Sequence, residues 1–200
     1  KILDIGTGTG LIAIMLAQRQ VNASIHAVEI DELASEQARR NIAASPWSAR
    51  LEVFTTSIQD FCKDATEKPY DLIVSNPPFF SGGTFSENQN RNHVRHTIKL
   101  PHGDLLSAVR LVLAKEGRFC LVLPFIEGLR FEEMAKNYGF HCTKKTEIHP
   151  KADKPIERLL LQFERQAKPL EVDKLVIQKT ARNDWTEAYI ALTKDFYLKM

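Results

Sequence analysis

The stretch Asp71-Leu72-Ile73-Val74-Ser75-Asn76-Pro77-Pro78-Phe79 decides how the rest of this sequence is read. Leu72, Ile73 and Val74 form a short continuous apolar run, the pattern of a strand buried on both faces of a parallel sheet. Pro77 and Pro78 end that strand, because neither has an N–H for a ladder and each fixes its own φ. Asn76 precedes a proline and is held extended. The strand therefore closes in a rigid corner that offers an amide side chain, backbone carbonyls and an aromatic ring. Open α/β sheets bind their ligands at that edge.

Upstream of the corner, Ile2-Leu3-Asp4-Ile5 reads as a strand, Gly6-Thr7-Gly8-Thr9-Gly10 as a turn, and residues 11–17 as an apolar helix. Strand, glycine turn and helix form the βα unit that sets backbone N–H groups and a helix N-terminus beside a ligand. A second strand runs to Glu29. Asp31 can cap the next helix, whose expected buried face holds Ala34, Ala38 and Ile42. Leu51-Glu52-Val53-Phe54 is a third strand, followed by a short segment through Ser57 and Asp60.

Downstream, residues 81–100 lack periodicity and read as a long loop, a feature that is usually functional or disordered. A helix over 104–114 is expected to end at Gly117, before a strand over 119–123. Phe131, Met134, Ala135 and Tyr138 mark a further helix closed by Gly139. Strands over 140–148 and 156–163 follow, joined without room for a helix, so one of that pair should be antiparallel. A short strand lies at Leu175-Val176-Ile177. Asp184-x-x-Glu187 reads as a capping box opening a last helix, with Trp185, Tyr189, Leu192 and Phe196 as a core-facing stripe. This alternation implies a Rossmann-like α/β fold, an open and mostly parallel sheet with helices on both faces. Residues 1–200 read as a single domain.

The 200 residues are 26% charged and 44% hydrophobic, an ordinary globular balance, and a net charge of +2 does not by itself argue for nucleic acid. Cys62, Cys120 and Cys142 are odd in number and widely spaced, which suits a reduced, cytoplasmic protein. No metal site is expected from the Cys or His spacing, and no apolar stretch is long enough to cross a membrane. The chain opens at Lys1 directly in a strand, and a further N-terminal segment is expected before it.

The turn carries Gly6, Gly8 and Gly10, while the dinucleotide fingerprint needs a small residue where Leu11 stands, which counts against NAD. Glu29, at the end of the second strand, can accept hydrogen bonds from both ribose hydroxyls; its plain alternative is a solvated strand-end acid. Asp4 sits in a buried strand and needs a partner, either the glycine loop or a ligand ammonium group. Asp60 can accept from an exocyclic amine or serve simply as an acid at a helix start.

Asp4-x-Gly6-x-Gly8-x-Gly10, Glu29, Asp60 and Asn76-Pro77-Pro78-Phe79 together resemble the class I S-adenosylmethionine-dependent methyltransferases. The Asn-Pro-Pro-aromatic corner is similar to that of enzymes that methylate planar nitrogens: adenine N6, guanine N2 or protein glutamine. A narrower resemblance rests on Arg95-His96-Thr97, Arg158-Leu159-Leu160-Leu161, and the tail from Thr186 to Leu198. These look like the bacterial valine-tRNA adenine-N6 methyltransferases, whose members carry an N-terminal segment that helps close the cofactor site.

The resemblance implies S-adenosylmethionine as cofactor, held by Asp4, Gly6, Thr7, Gly8, Gly10, Glu29, Ile30, Asp60 and Asn76. It implies catalysis at Asn76, Pro77, Pro78 and Phe79, on an adenine next to the anticodon of a valine tRNA. The Asn76 side-chain oxygen and the Pro77 carbonyl would accept the two hydrogens of the target amine, and Phe79 would stack on the base. Arg91, Arg95, His96 and Lys99 in the long loop, and Lys144, Lys145, Lys151, Lys154 and Arg158 around the late hairpin, form two basic clusters of candidate phosphate contacts, with Lys151, Lys154 and Arg158 the foremost of the second. Each lysine alone is equally well read as part of a solvated face. A protein glutamine or guanine-N2 methyltransferase, or a non-catalytic cofactor- and RNA-binding module, remain the alternatives.

Overall fold

The computed structural model of the protein describes residues 1–64, 69–77 and 100–198. Pro78, Phe79, Arg91, Arg95, His96 and Lys99 lie outside the described residues. Eight strands form one sheet: β1 (Ile2–Ile5), β2 (Ile25–Glu29), β3 (Leu51–Thr55), β4 (Tyr70–Ser75), β5 (Leu113–Pro124), β6 (His141–Lys151), β7 (Arg158–Glu164) and β8 (Glu171–Gln178). Their order is β3-β2-β1-β4-β5-β7-β6-β8. β7 pairs antiparallel with both β5 and β6, and every other pairing is parallel. The mostly parallel sheet with one reversed strand is thus as the alternation of elements predicts.

From β1 the chain steps outward through β2 and β3, then returns to place β4 on the other side of β1. The crevice above the carboxyl ends of β1 and β4 is therefore the topological switch point of the sheet. β1 is buried at every position, which explains why its sequence is apolar apart from Asp4. The helices are α1 (Leu11–Arg19), α2 (Glu32–Ala43), α3 (Ile58–Asp64), α4 (His102–Val112), α5 (Phe125–Asn137) and α6 (Glu187–Thr193).

On one face, α4 and α5 bury Leu105, Leu106, Val109, Phe131 and Ala135 against Ile73, Phe119, Leu121 and Phe163. The rings of Phe119, Phe131 and Phe163 lie 5.6–6.2 Å apart, each pair contributing about 0.5–1.5 kcal/mol beyond its buried area. On the other face, Ala13 and Ala17 of α1 bury over Ile2, Ile25 and Ala27. Small side chains let α1 sit close to the sheet just where the glycine turn must reach the strand end.

Several elements depart from the sequence pattern. The expected buried position Ala34 is only half-buried, and Ser35 is buried instead, its hydroxyl 2.9 Å from Thr55 Oγ1 on β3. α4 ends at Val112 and β5 begins at once with Leu113, so Gly117 is a strand residue and not a helix cap. The register shifts there, Tyr70 pairing with Leu113 but Leu72 with Arg118, so the extra residues of the irregularity are on β5 and include Gly117; its close approach to Tyr70 leaves no room for a side chain.

The last helix begins two residues after the anticipated cap. Thr186 is the N-cap, accepting from the Tyr189 N–H, because residues 179–186 first fold back on β8 through Lys179 N–H to Asp184 O and Thr186 N–H to Ile177 O. The Trp185–Phe196 stripe is not core: Trp185, Tyr189 and Phe196 are half-buried and Leu192 is 48% exposed. It lies on the edge strand β8, and Arg19 of α1 stacks on Phe196 and donates to the Leu192 carbonyl.

A Cβ at Gly117 would stand 2.8 Å from both the Tyr70 carbonyl oxygen and Leu113 Cδ1. Backbone cannot yield there as a flexible side chain can. Gly117→Ala is expected to lower stability by about 1–3 kcal/mol. Urea unfolding should show this as an earlier midpoint with an unchanged slope.

Candidate active site

Gly6, Gly8 and Gly10 have φ of 70°, 58° and 82°, the left-handed region that glycine enters without penalty. They serve two different purposes. A Cβ on Gly10 would lie 3.2 Å from Ala38 Cβ, so this glycine lets α1 start against α2. Gly6 and Gly8 have nothing within 4 Å of such a Cβ. Their bareness serves the open space above the strand ends, where a ligand can approach the backbone.

The turn is fastened on its β2 side. The N–H groups of Gly6 and Thr7 both donate to Val28 O, at 2.9 and 3.1 Å, and Asn41 of α2 donates to Thr9 O at 2.8 Å. Thr7 Oγ1 donates to Asp4 Oδ2 at 2.6 Å. Asp4 therefore has the glycine loop as a partner, one of the two anticipated. Its other oxygen, Oδ1, is buried with no hydrogen bond. Burial pushes the Asp4 carboxyl up to about 6, against the pull of the Thr7 hydroxyl and the Ala13 backbone. The nearby Glu29 charge adds a little in the upward direction.

Glu29 is bound to the loop it was expected to serve alongside. Its Oε2 accepts the Gly8 N–H at 2.8 Å, and Oε1 accepts the Ile30 and Asp31 N–H groups, each at 2.9 Å. A carboxylate accepts about four hydrogen bonds. Three are made within the protein, and acceptor capacity remains. Ile30 beside it is 40% exposed at the same edge. Asp31 caps α2 as anticipated, through Ala34 N–H to Oδ1 at 2.8 Å.

Asp60 stands apart from these groups in its chemistry. It is fully exposed in the first turn of α3, with Ser57 Oγ and Lys63 Nζ both 2.7 Å from its oxygens. The Lys63 hydrogen bond, then the Ser57 one, hold its carboxyl below the ordinary range. These are the contacts of an acid at a helix start, placed just beyond the carboxyl end of β3.

Asn76 follows β4 directly, exposed, while Pro77 after it is buried. The register Ile5↔Ser75 puts this corner beside Gly6. Ser75 is itself buried and donates from Oγ to Ile5 O at 2.9 Å. Asp4, Gly6, Thr7, Gly8, Gly10, Glu29, Ile30, Asn76 and Pro77 thus share one edge. Ser75 and Asn41 were not anticipated. A serine ending an apolar, buried run is a signal in itself, because a buried hydroxyl needs a partner. Asn41 on an exposed helix side carries no such signal.

The late hairpin brings its cations to the same edge, since Ile148 at the end of β6 pairs with Arg158 at the start of β7, next to Pro124. Lys151 donates from Nζ to Thr180 O at 2.7 Å. Lys154 and Arg158 have loose ion pairs, 3.9 Å to Asp153 and 4.0 Å to Glu157. Lys144 and Lys145 lie further down β6 and are committed elsewhere, at 2.9 Å to Asp173 and 2.6 Å to Glu132. Among the described residues no three His, Cys, Asp or Glu side chains gather to hold a metal, and no helix is long and apolar enough to cross a membrane.

Comparison with known proteins gives concordant results. The methyltransferase small domain family matches residues 1–123. The chain is 43% identical over 199 residues to the tRNA1(Val) (adenine(37)-N6)-methyltransferase of Pasteurella multocida, spanning 99% of this chain and 82% of that protein. It is likewise 43% identical over 201 residues to the protein of that name from Trichodesmium erythraeum, spanning all of this chain and 83% of the relative. Among solved structures, a predicted O-methyltransferase from Agrobacterium tumefaciens superposes with a TM-score of 0.77 at 19% identity, over 96% of this chain and 88% of that one. A glycopeptide N-methyltransferase complexed with S-adenosylmethionine superposes with a TM-score of 0.60 at 12% identity, over 82% of this chain and 86% of that one. At such identities these two likenesses bear on the fold.

The raised Asp4 carboxyl has a sign that can be measured. A group whose folded value of about 6 exceeds its unfolded one favours folding below pH 4 and loses that contribution as pH rises through 6. Relative to Asp4→Asn, which does not titrate, the ligand-free parent should lose about 3 kcal/mol between pH 4 and 7, at about 1.4 kcal/mol per unit. Urea unfolding of both proteins across that range would show the difference, and a constant offset would exclude it.

Proposed function

We propose a function from one premise, that this chain belongs to the methyltransferase small domain family and within it to the tRNA1(Val) (adenine(37)-N6)-methyltransferases. It transfers a methyl group from S-adenosylmethionine to the exocyclic N6 of adenine 37 in a valine tRNA, in the cytoplasm. The observation that carries this reading is the placement of Asn76 at the end of β4, in register beside the glycine loop at the end of β1.

The residues fit the cofactor. The open space over Gly6 and Gly8 admits its methionine part, and the unpartnered, buried Asp4 Oδ1 suits its ammonium group. The remaining acceptor capacity of Glu29 suits the ribose hydroxyls, with Ile30 as apolar surface beside it. S-adenosylmethionine supplies a methyl group on a sulfonium, already bonded to a good leaving group, so positioning dominates the catalysis.

Asn76 and Pro77 do the rest. Adenine's exocyclic nitrogen is a poor nucleophile because its lone pair is delocalised into the ring. The Asn76 side-chain oxygen and the Pro77 carbonyl each accept one of its two hydrogens, which favours a tetrahedral nitrogen with its lone pair free. These hydrogen bonds strengthen as positive charge develops on nitrogen, so they favour the transition state over the ground state. No general base is needed to raise the nucleophilicity, and the proton that the methylated nitrogen must lose to give neutral N6-methyladenine would pass to water. The stacking ring in this reading is Phe79, on the sequence resemblance. A base flipped from a single-stranded loop costs least to present, which suits a position next to the anticodon. Lys151, Lys154 and Arg158, on the same sheet edge, would meet backbone phosphates, together with Arg91, Arg95, His96 and Lys99.

Transfer of labelled methyl from S-adenosylmethionine separates the possible acceptors. Label should enter unmodified valine tRNA as N6-methyladenine; label in protein, in guanine or nowhere would overturn the reading. Asn76→Ala removes one transition-state acceptor and leaves the glycine loop intact. Cofactor affinity should stay within a few-fold, while the single-turnover rate falls roughly 10²–10³-fold. Asn76→Asp still accepts a hydrogen bond and should retain measurable transfer.

The glycines should divide by function. Gly8→Val fills open space and is expected to abolish cofactor binding in calorimetry while the domain still folds. Gly10→Val meets the Ala38 backbone 3.3 Å from its first carbon, so its main effect should be a lowered melting temperature. Both positions have positive φ, so both variants lose some stability; if folded Gly8→Val binds S-adenosylmethionine as the parent does, the open space above Gly8 does not belong to the cofactor.

A further inference from the structure

We propose that Ser75 is a positioning residue for methyl transfer, its hydroxyl setting the distance between the cofactor loop and the acceptor corner. This rests on the methyl-transfer reading above. The two halves of the reaction are carried by neighbouring strands, the donor side by the Ile5–Gly6 end of β1 and the acceptor side by the Ser75–Asn76 end of β4. Paired registration of these strands reaches Ile5↔Ser75. Beyond it the glycine turn bends into left-handed geometry and Pro77 has no N–H to donate.

The fastenings of the glycine turn are one-sided. Gly6 and Thr7 are bonded to Val28 of β2, Gly8 to Glu29 of β2, and Thr9 to Asn41 of α2. Among the described residues, the hydrogen bond beyond the strand ladder that ties the base of this turn to β4 is Ser75 Oγ to Ile5 O, 2.9 Å long. It is buried, with Ser75 4% exposed, so water does not compete for the Ile5 carbonyl. It stands one residue from Gly6 on one side and one from Asn76 on the other. A change of about 1 Å between two reactants can cost about 10²-fold in rate, and no other side chain described here spans that gap.

Ser75→Ala removes the bond with little change in volume, and Ser75→Thr keeps the hydroxyl. Three measurements on the full chain decide the matter. Hydrogen–deuterium exchange of the ligand-free protein should quicken in Ser75→Ala over residues 2–10 and 70–77, with the β5–β7 region unchanged and Ser75→Thr like the parent. Cofactor and tRNA dissociation constants should stay within about threefold. The single-turnover rate at saturation should fall about 10–100-fold in Ser75→Ala and recover substantially in Ser75→Thr.

Unaltered local exchange in Ser75→Ala would overturn the proposal whether or not the parent methylates tRNA. A rate equal to the parent's would overturn it too. So would a rate, two affinities and a melting temperature that all fall together, which is the behaviour of a merely structural serine. A parent that transfers no methyl to tRNA contradicts the function reading instead, and the exchange experiment still decides whether Ser75 holds the two strand ends together.

Discussion

Everything in the site depends on β1 and β4 lying side by side while the chain leaves them in opposite directions. The pairs from Ile2↔Leu72 to Ile5↔Ser75 are parallel and adjacent, so two loops remote in sequence emerge at neighbouring points about 4.8 Å apart. One carries three left-handed glycines and the other begins Asn76-Pro77. Neither loop could form this crevice alone. Burial of β1 at every position makes a slip of register costly, because a shift by one residue would turn Asp4 from its Thr7 partner into the apolar core that holds Leu3 and Ile5.

The electrostatics of the crevice follow from the same packing. Two carboxylates, Asp4 and Glu29, converge on the glycine loop, and they are solvated very differently. Glu29 is met by three backbone N–H groups. Asp4 has one hydroxyl and a buried free oxygen, so its charge is opposed by burial. A cationic group arriving above the loop would relieve Asp4 most. The crevice thus offers positive charge a place beside Asp4 and leaves an acceptor position at Glu29.

Much of this was legible in the residues. The run Leu72-Ile73-Val74 ending in prolines, and the Gly6-Thr7-Gly8-Thr9-Gly10 turn after an apolar strand, define strand ends whatever surrounds them, because backbone sterics are local. What could not be read depends on contacts across the sheet. Gly117 resembles a helix stop until the Tyr70 carbonyl is seen against it. The Trp185–Phe196 stripe has helical spacing, yet its helix covers an edge strand, where the rings are only partly buried. Glu29 reads as a ligand residue, but its hold on the Gly8 N–H appears only once β2 and the loop are brought together. Lys144 and Lys145 look like part of a basic cluster until Asp173 and Glu132 are found beside them.

The contact between α1 and the tail has a consequence for how the protein is made. Arg19 meets the Leu192 carbonyl across 173 positions of sequence, and Gln18 meets Asp195 across 177. At about 5–20 residues per second of synthesis, the first helix waits roughly ten to thirty-five seconds for these partners to exist. Through that interval the end of α1, with its exposed Leu11 at one extremity and Arg19 at the other, has only its sheet-side contacts. The far end of the helix that follows the glycine turn thus gains its last partners long after the helix itself has been synthesised.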